Sequence, residues 1–117
     1  MSEEAIREFW KKFYEALDAG DAETASALFP DGTIIHLWDG TTFTTQDEFK
    51  KWFVELFSKS ENASRKIVKL EVKGNVAYVE VVLKAKIDGK EKTVRLKHVT
   101  KFEGDKLVEV EVDIDPL

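Results

Sequence analysis

The sequence predicts an α+β fold in which a curved antiparallel sheet wraps around three helices from the N-terminal half of the chain. Three observations carry this prediction: helical periodicity in the first half, period-two alternation in the second half, and hairpin dipeptides between the last four strands. The resulting order, α-α-β-β-α-β-β-β-β, collects the helices on one face of an antiparallel meander. At 117 residues we expect a single domain, 1–117, built around one core.

The first two helices are predicted from their caps. The first covers residues 2–19, with Ser2 as its N-cap and Gly20 as its stop signal. Asp21 caps a short second helix that continues through Leu28 and ends before a proline and a glycine. An apolar stripe along the first helix gives it one face to bury.

A short hairpin and a third helix follow. Residues 33–38 form a strand, the Asp-Gly pair at 39–40 is a hairpin turn, and residues 41–44 form the returning strand. A T-x-x-E capping box at 45–48 begins the third helix, which covers 46–58 and carries several aromatic side chains on one side.

The second half of the chain is predicted to form four strands joined by tight turns. The strands are expected at 63–73, 76–87, 91–103 and 106–115, with turns at Gly74-Asn75, Asp88-Gly89 and Gly104-Asp105. The first of these strands changes parity, because Val68 and its i+2 neighbours share one face whereas Arg65 and Ile67 have the opposite parity. A bulge near Ile67-Val68 would bring Arg65 and Ile67 inside. Without a bulge, Arg65 is an ordinary surface residue.

The amino-acid composition argues against several classes of function and of functional site. A formal net charge of −5 argues against a nucleic-acid binder, and the absence of Cys excludes disulfides, thiolate metal sites and cysteine nucleophiles. The opening MSEEAIREF is an acidic helix start, and no stretch has the apolar length of a membrane span. We therefore expect no signal peptide, no membrane partner, and a soluble protein that is cytoplasmic when expressed. The regular caps and turns are typical of designed sequences.

Polar side chains at inward positions predict a functional pocket. From 94 to 102 the even positions read V, L, H, T and F, so His98 points toward the core. Tyr14 and Asp18 lie at i, i+4 spacing on the first helix, beside its apolar stripe. Each residue alone has an ordinary structural explanation. Two complementary pairs, Tyr14–His98 and Asp18–Arg65, would leave no buried charge without a partner, and since such pairs add little stability their presence suggests a function.

The order and lengths of the elements resemble the nuclear-transport-factor-2-like (ketosteroid-isomerase-like) cone fold, in which a bent sheet encloses a cavity open at one end. Four stretches resemble the de novo designed luciferases of the LuxSit family on this scaffold, namely FYEALDAGDAETASALF, TIIHLWDG, EFKKWFVELFS and EVEVDIDP. Tyr14, Asp18, Arg65 and His98 fall where that family has its Tyr–His and Asp–Arg dyads. Ser60, Leu96 and Val110 are similar to its activity-improved pattern at pocket positions.

The resemblance implies an artificial luciferase that oxidises a coelenterazine-type imidazopyrazinone, such as diphenylterazine, with molecular oxygen and emits light. It implies no metal and no organic cofactor. Arg65, held by Asp18, would stabilise the luciferin anion, and His98, held by Tyr14, would hydrogen-bond the developing oxyanion or accept a proton. The expected cavity wall consists of Phe13, Leu17, Ile35, Leu37, Trp38, Phe49, Trp52, Phe53, Leu56, Val81, Leu83, Leu96, Val110 and Val112.

Two other functions stay open. A ketosteroid-isomerase-like proton-transfer enzyme would also use a tyrosine on the first helix, but it needs a carboxylate base in the cavity. The inward face of 94–102 offers only His98, and Asp39 is better explained by its turn. A non-catalytic binding scaffold is the other alternative, and we expect a monomer in either case. His36 has no assigned role, and two His without Cys make a metal site unfavourable.

Overall fold

The structure, a computed structural model, describes residues 2–116, which form three helices and a six-stranded sheet. In chain order the elements are α1 (Glu3–Asp18), α2 (Ala22–Ala27), β1 (Ile34–His36), β2 (Thr42–Phe43), α3 (Gln46–Lys59), β3 (Ser60–Lys73), β4 (Val76–Ile87), β5 (Lys90–Glu103) and β6 (Lys106–Pro116). The predicted α+β order is confirmed, and the element ends differ from the prediction by three residues at most. No helix in this part of the chain has the length and apolar character needed to cross a membrane.

The helix ends form as their caps predict. The Ser2 hydroxyl accepts the Ala5 N–H at 3.1 Å, and Gly20 follows α1 with φ of +72°, in the left-handed region that glycine adopts easily. Both halves of the capping box at the start of α3 are present. These local contacts fix where α1 and α3 begin, and therefore which side chains each helix turns toward the sheet.

The strands follow the spatial order β2-β1-β6-β5-β4-β3. The four long strands form the predicted antiparallel meander, but β1 pairs with β6 in parallel, with Ile35 opposite Val110. The predicted meander is confirmed, and the parallel β1–β6 pair makes the complete sheet mixed. The hairpin dipeptides report only on strands adjacent in sequence, whereas the β1–β6 pairing joins elements far apart in the chain.

A β-bulge in β3 decides the direction of Arg65. The register between β3 and β4 shifts between Ile67 and Lys69, so Val68 is the extra residue, and it is 47% exposed. The Arg65 side chain is only 3% exposed, and Ile67 packs against the core. The bulged alternative is confirmed, while the expectation that Val68 shares a buried face with its neighbours is wrong because the bulge turns Val68 outward.

Burial along the inward row of β5 defines an open and a closed end of the sheet. Lys92 is exposed, Leu96 is partly buried, and His98, Thr100 and Phe102 are buried. The concave side is therefore open near the β4–β5 hairpin and closed at the opposite end, where Trp10 and Tyr14 of α1 contact His98. This gradient places His98 at the inner end of the enclosure and Lys92 at its mouth.

Candidate active site

The concave side of the sheet encloses a cavity of about 310 Å³ between the helices and β3–β6. Its wall is mostly aliphatic and aromatic, and the polar side chains that reach it are Tyr14, Arg65, Lys92 and His98. A volume at the lower end of the range for small-molecule sites, together with a few polar groups on an apolar wall, is typical of a ligand pocket.

Tyr14 and His98 meet at the closed end of this cavity. The Tyr14 hydroxyl forms a hydrogen bond with His98 Nε2, joining α1 to β5, and both side chains are more than nine-tenths buried. A phenol O–H is a stronger acid than the N–H of a neutral imidazole, which assigns the hydroxyl as donor and Nε2 as acceptor. The imidazole hydrogen then lies on Nδ1, which has no hydrogen-bond partner among the described residues.

Burial sets the protonation state of this pair. Desolvation lowers the pKa of His98 to about 3, so the imidazole is neutral at physiological pH. Desolvation also raises the pKa of Tyr14 far above its ordinary value, with Arg65 opposing and Asp18 adding to the shift. Because neither group carries charge near pH 7, the pair can donate and accept hydrogen bonds without the desolvation penalty of a buried ion.

The Trp10 ring packs against one face of the His98 imidazole, a contact that the sequence-based prediction did not include. Its ring stacks on His98 with centroids 4.8 Å apart and planes 24° apart, and it also stacks on Tyr14 at 5.8 Å. Trp10 lies one helical turn before Tyr14, and its i, i+4 spacing was the available signal for this contact. The His98 ring is thus fixed by a hydrogen bond in its plane and by an aromatic ring against its face.

Asp18 and Arg65 form the second pair. Arg65 Nη1 donates to Asp18 Oδ1 at 2.7 Å, and the Arg65 backbone N–H donates to Oδ2 at 3.3 Å. The Asp18 side chain is 31% exposed, whereas the Arg65 side chain is 3% exposed. Asp18 therefore holds the guanidinium from the solvent side, and Arg65 itself reaches the cavity wall.

An outer cleft of about 320 Å³ lies behind this pair, between α1 and β3. Tyr14 and Arg65 border both the outer cleft and the central cavity. Asp18 borders the outer cleft but is not among the described residues that line the cavity. The Asp18–Arg65 ion pair is thus a partition between the cavity and solvent. Asp18 is placed to orient Arg65 and not to touch a ligand in the cavity.

The structure places most of the expected wall residues on the cavity. Those that line it are Phe13, Leu17, Ile35, Leu37, Trp38, Phe49, Trp52, Phe53, Leu56, Leu83, Leu96, Val110 and Val112. Ser60 and Val81 do not line it. The Ser60 hydroxyl donates to the Leu56 carbonyl at 3.0 Å, and Val81 is fully covered within the core. The roles of the lining residues toward a ligand stay predictions.

Sequence reasoning missed seven lining residues: Trp10, Phe29, Phe43, Ile87, Lys92, Val94 and Ile114. Parity identifies several of them, since Lys92 and Val94 share the inward row of β5 with His98. Phe29 and Phe43 lie next to turns, where periodicity gives no direction. Among residues 2–116 no group of three or more His, Asp or Glu side chains is arranged to hold a metal ion.

Known proteins share this architecture. Residues 4–110 match the family model described as a SnoaL-like domain, and no curated protein matches the sequence. A hypothetical protein with a ketosteroid isomerase-like fold from Catenulispora acidiphila, solved with trimethylamine, has a TM-score of 0.81 at 17% identity, over 91% of this chain and 84% of its own. An LEH-like epoxide hydrolase from M. tuberculosis has a TM-score of 0.74 at 13% identity, over 92% and 80%. An NTF-2-like protein of unknown function from Burkholderia xenovorans has a TM-score of 0.78 at 17% identity, over 98% and 86%. At these identities the likeness establishes the fold.

Proposed function

Because the chain belongs to the SnoaL-like domain family, whose fold serves enzymes such as an epoxide hydrolase, we propose that its cavity is an active site. The proposed activity is that of an artificial luciferase acting on a coelenterazine-type imidazopyrazinone, such as diphenylterazine, with molecular oxygen. The observation that carries the proposal is a guanidinium and a neutral, immobilised imidazole in the wall of the same aromatic-lined cavity.

Arg65 supplies the electrostatic part of the reaction. An imidazopyrazinone is a flat, weakly acidic heterocycle, and its anion reacts with oxygen. A guanidinium keeps its positive charge at all working pH values, and an apolar surrounding strengthens its attraction for an anion. A ligand that loses its proton beside Arg65 gains this attraction, so the bound luciferin is expected to ionise more readily than in water.

The reaction balances without a further oxidant. Oxygen adds to the ring carbon next to the carbonyl, and the terminal peroxide oxygen attacks the carbonyl carbon. The bond from that carbon to the ring nitrogen breaks, the nitrogen keeps the electron pair as part of the pyrazine ring, and a dioxetanone is formed. Cleavage of its O–O and C–C bonds releases carbon dioxide, which keeps the carbonyl oxygen and one oxygen of O₂. The other oxygen of O₂ becomes the carbonyl of an excited amide, which emits light. O₂ is reduced and the luciferin is oxidised.

His98 acts as a neutral hydrogen-bond donor through Nδ1 in this proposal. Because that nitrogen is buried, a bound ligand has to displace the side chains that cover it. With its pKa lowered to about 3, the imidazole is a poor proton acceptor near pH 7, which favours oxyanion stabilisation over general-base chemistry. Tyr14 fixes the tautomer through Nε2, and Trp10 fixes the ring plane. The aromatic wall excludes water and restrains the product rings, so that the excited state loses its energy as light.

The test is photon counting after mixing the purified protein with diphenylterazine in air-saturated buffer. We expect emission well above buffer, and a loss of at least about a hundredfold in Arg65→Ala and in His98→Ala. Lys84→Ala is the matched surface control, because Lys84 is exposed on β4, and it should keep its emission. Circular dichroism of each variant separates loss of the site from loss of the fold. Emission no greater than buffer, or unchanged emission from either cavity variant, contradicts the proposal.

The alternatives find less support. A ketosteroid-isomerase-like mechanism needs a carboxylate in the cavity, and among the described residues no Asp or Glu lines it. Asp39 instead accepts the Thr41 N–H at 2.9 Å in an exposed turn. A non-catalytic binding scaffold would bind diphenylterazine without producing light, and fluorescence titration beside the photon count distinguishes that outcome.

A further inference from the structure

Lys92 is an inward cation at the mouth of the cavity. It lies on β5 opposite Ala85, in the same row as Val94, Leu96 and His98, and it lines the cavity. Inward positions of this sheet are otherwise apolar over most of their length, since they bury against the helices. A lysine at such a position puts a positive charge where the entering end of a ligand must pass.

The charge of Lys92 is not used within the described part of the chain. Two lysines on the outer face of the sheet are paired, Lys97 with Asp115 at 2.8 Å and Lys101 with Glu109 at 3.1 Å, whereas Lys84 on the same face forms no ion pair within the described residues. Lys92 forms no ion pair or side-chain hydrogen bond among residues 2–116. Its strand neighbour Glu91 has the opposite parity and faces outward. The ammonium group is therefore available to a ligand.

The spacing along β5 fits an elongated ligand. Lys92 and His98 are six positions apart, which corresponds to about 20 Å between the Cα atoms of an extended strand. The length of the Lys92 side chain reduces the distance that a ligand has to span between the ammonium group and His98. Trp38, which lines the same cavity and is 46% exposed, adds an aromatic surface on the opposite rim. A multi-ring ligand whose reactive core lies between Arg65 and His98 would extend its outer substituent to this rim.

We propose that Lys92 determines specificity for flat aromatic ligands that carry an anionic group, such as a sulfonate or carboxylate, on the ring at the cavity mouth. The inference rests on the proposed function in placing the reactive core at the inner end, and it names the substrate class within it. An ion pair at a partly exposed site is worth about two- to fivefold in affinity. The preference should weaken with added salt, because solvent-exposed charges are screened.

The test uses two fluorescent probes that differ in one group. Anilinonaphthalene sulfonate carries the anion, and phenylnaphthylamine has the same rings without it. Their dissociation constants are measured by fluorescence titration for the unsubstituted protein, for Lys92→Glu, and for Lys84→Glu. The Lys84 variant makes the same charge change on the outer face of the neighbouring strand and controls for net charge.

We expect Lys92→Glu to weaken binding of the sulfonate probe by about fivefold or more relative to the uncharged probe. Lys84→Glu should leave the ratio of the two constants nearly unchanged. The proposal is overturned if neither probe binds, if Lys92→Glu leaves the ratio unchanged, or if Lys84→Glu changes it equally. Because the probes fluoresce without any reaction by the protein, a shifted ratio without luminescence would contradict the luciferase proposal alone. Luminescence with an unshifted ratio would contradict the Lys92 proposal alone.

Discussion

Acid should destabilise this protein through His98 in particular. The ordinary pKa of 6.5 applies to the unfolded chain, and burial lowers the pKa to about 3 in the folded state. Between these values the unfolded state binds a proton that the folded state does not bind. Stability is therefore fully present above pH 6.5 and is lost as the pH falls toward 3. From pH 7 to pH 4 this linkage amounts to about 3 kcal/mol, at 1.36 kcal/mol for each pKa unit.

The assay is urea unfolding of the unsubstituted protein and of His98→Gln at several pH values between 7 and 4. Gln cannot titrate, so the difference between the two free energies of unfolding isolates the histidine while the carboxylates cancel. We expect the advantage of the unsubstituted protein to shrink by about 3 kcal/mol over this range. His36→Gln, which removes a partly exposed histidine whose Nε2 lies 3.5 Å from Glu109, is the control for losing a histidine outside the cavity. A pH-independent difference for His98→Gln would refute the reasoning.

Three further predictions concern the residues around this histidine and the bulge. Tyr14→Phe leaves His98 Nε2 buried without its partner, so the free energy of unfolding should fall by about 1–3 kcal/mol in urea titrations. Trp10→Ala removes the ring stacked on His98 and should lower it by about 3–5 kcal/mol, measured in the same way. Deleting Val68 removes the extra residue and leaves Ile67 and Lys69 in regular alternation opposite Val81 and Glu80, so Arg65 should stay inward and emission should be kept. Retained stability in either substitution would contradict the corresponding contact, and lost emission from a deletion variant that circular dichroism shows to be folded would contradict the assignment of Val68 as the extra residue.

Much of the fold could be predicted from short-range sequence signals. Ser2 and the capping box before α3 place the helix starts, and the Gly- and Asn-containing turns place the meander. Parity alone predicts that His98 faces inward, and helical spacing predicts that Tyr14 can meet it. These features depend on interactions within a few residues or between adjacent strands. Such short-range interactions can be predicted from a single sequence.

Other features depend on contacts that sequence spacing does not encode. The parallel pairing of β1 with β6 is a long-range contact, and it made the sheet mixed. The direction of Arg65 depended on one extra residue, Val68, and the parity change in β3 allowed both directions. Ser60 and Val81 were expected on the cavity wall, but their placement depends on how deeply α1 and the end of α3 cover the sheet.

Arg65 is proposed to stabilise a ligand anion inside the cavity. The most direct measurement is an anaerobic absorbance titration of bound diphenylterazine against pH, in the unsubstituted protein and in Arg65→Gln. Without oxygen the ligand is not consumed, so its ionisation is read from its own spectrum. A nearby guanidinium should lower the pKa of the bound ligand by about 1–3 units, and the Gln variant should abolish that shift. Equal ligand pKa values in the two proteins would contradict the account.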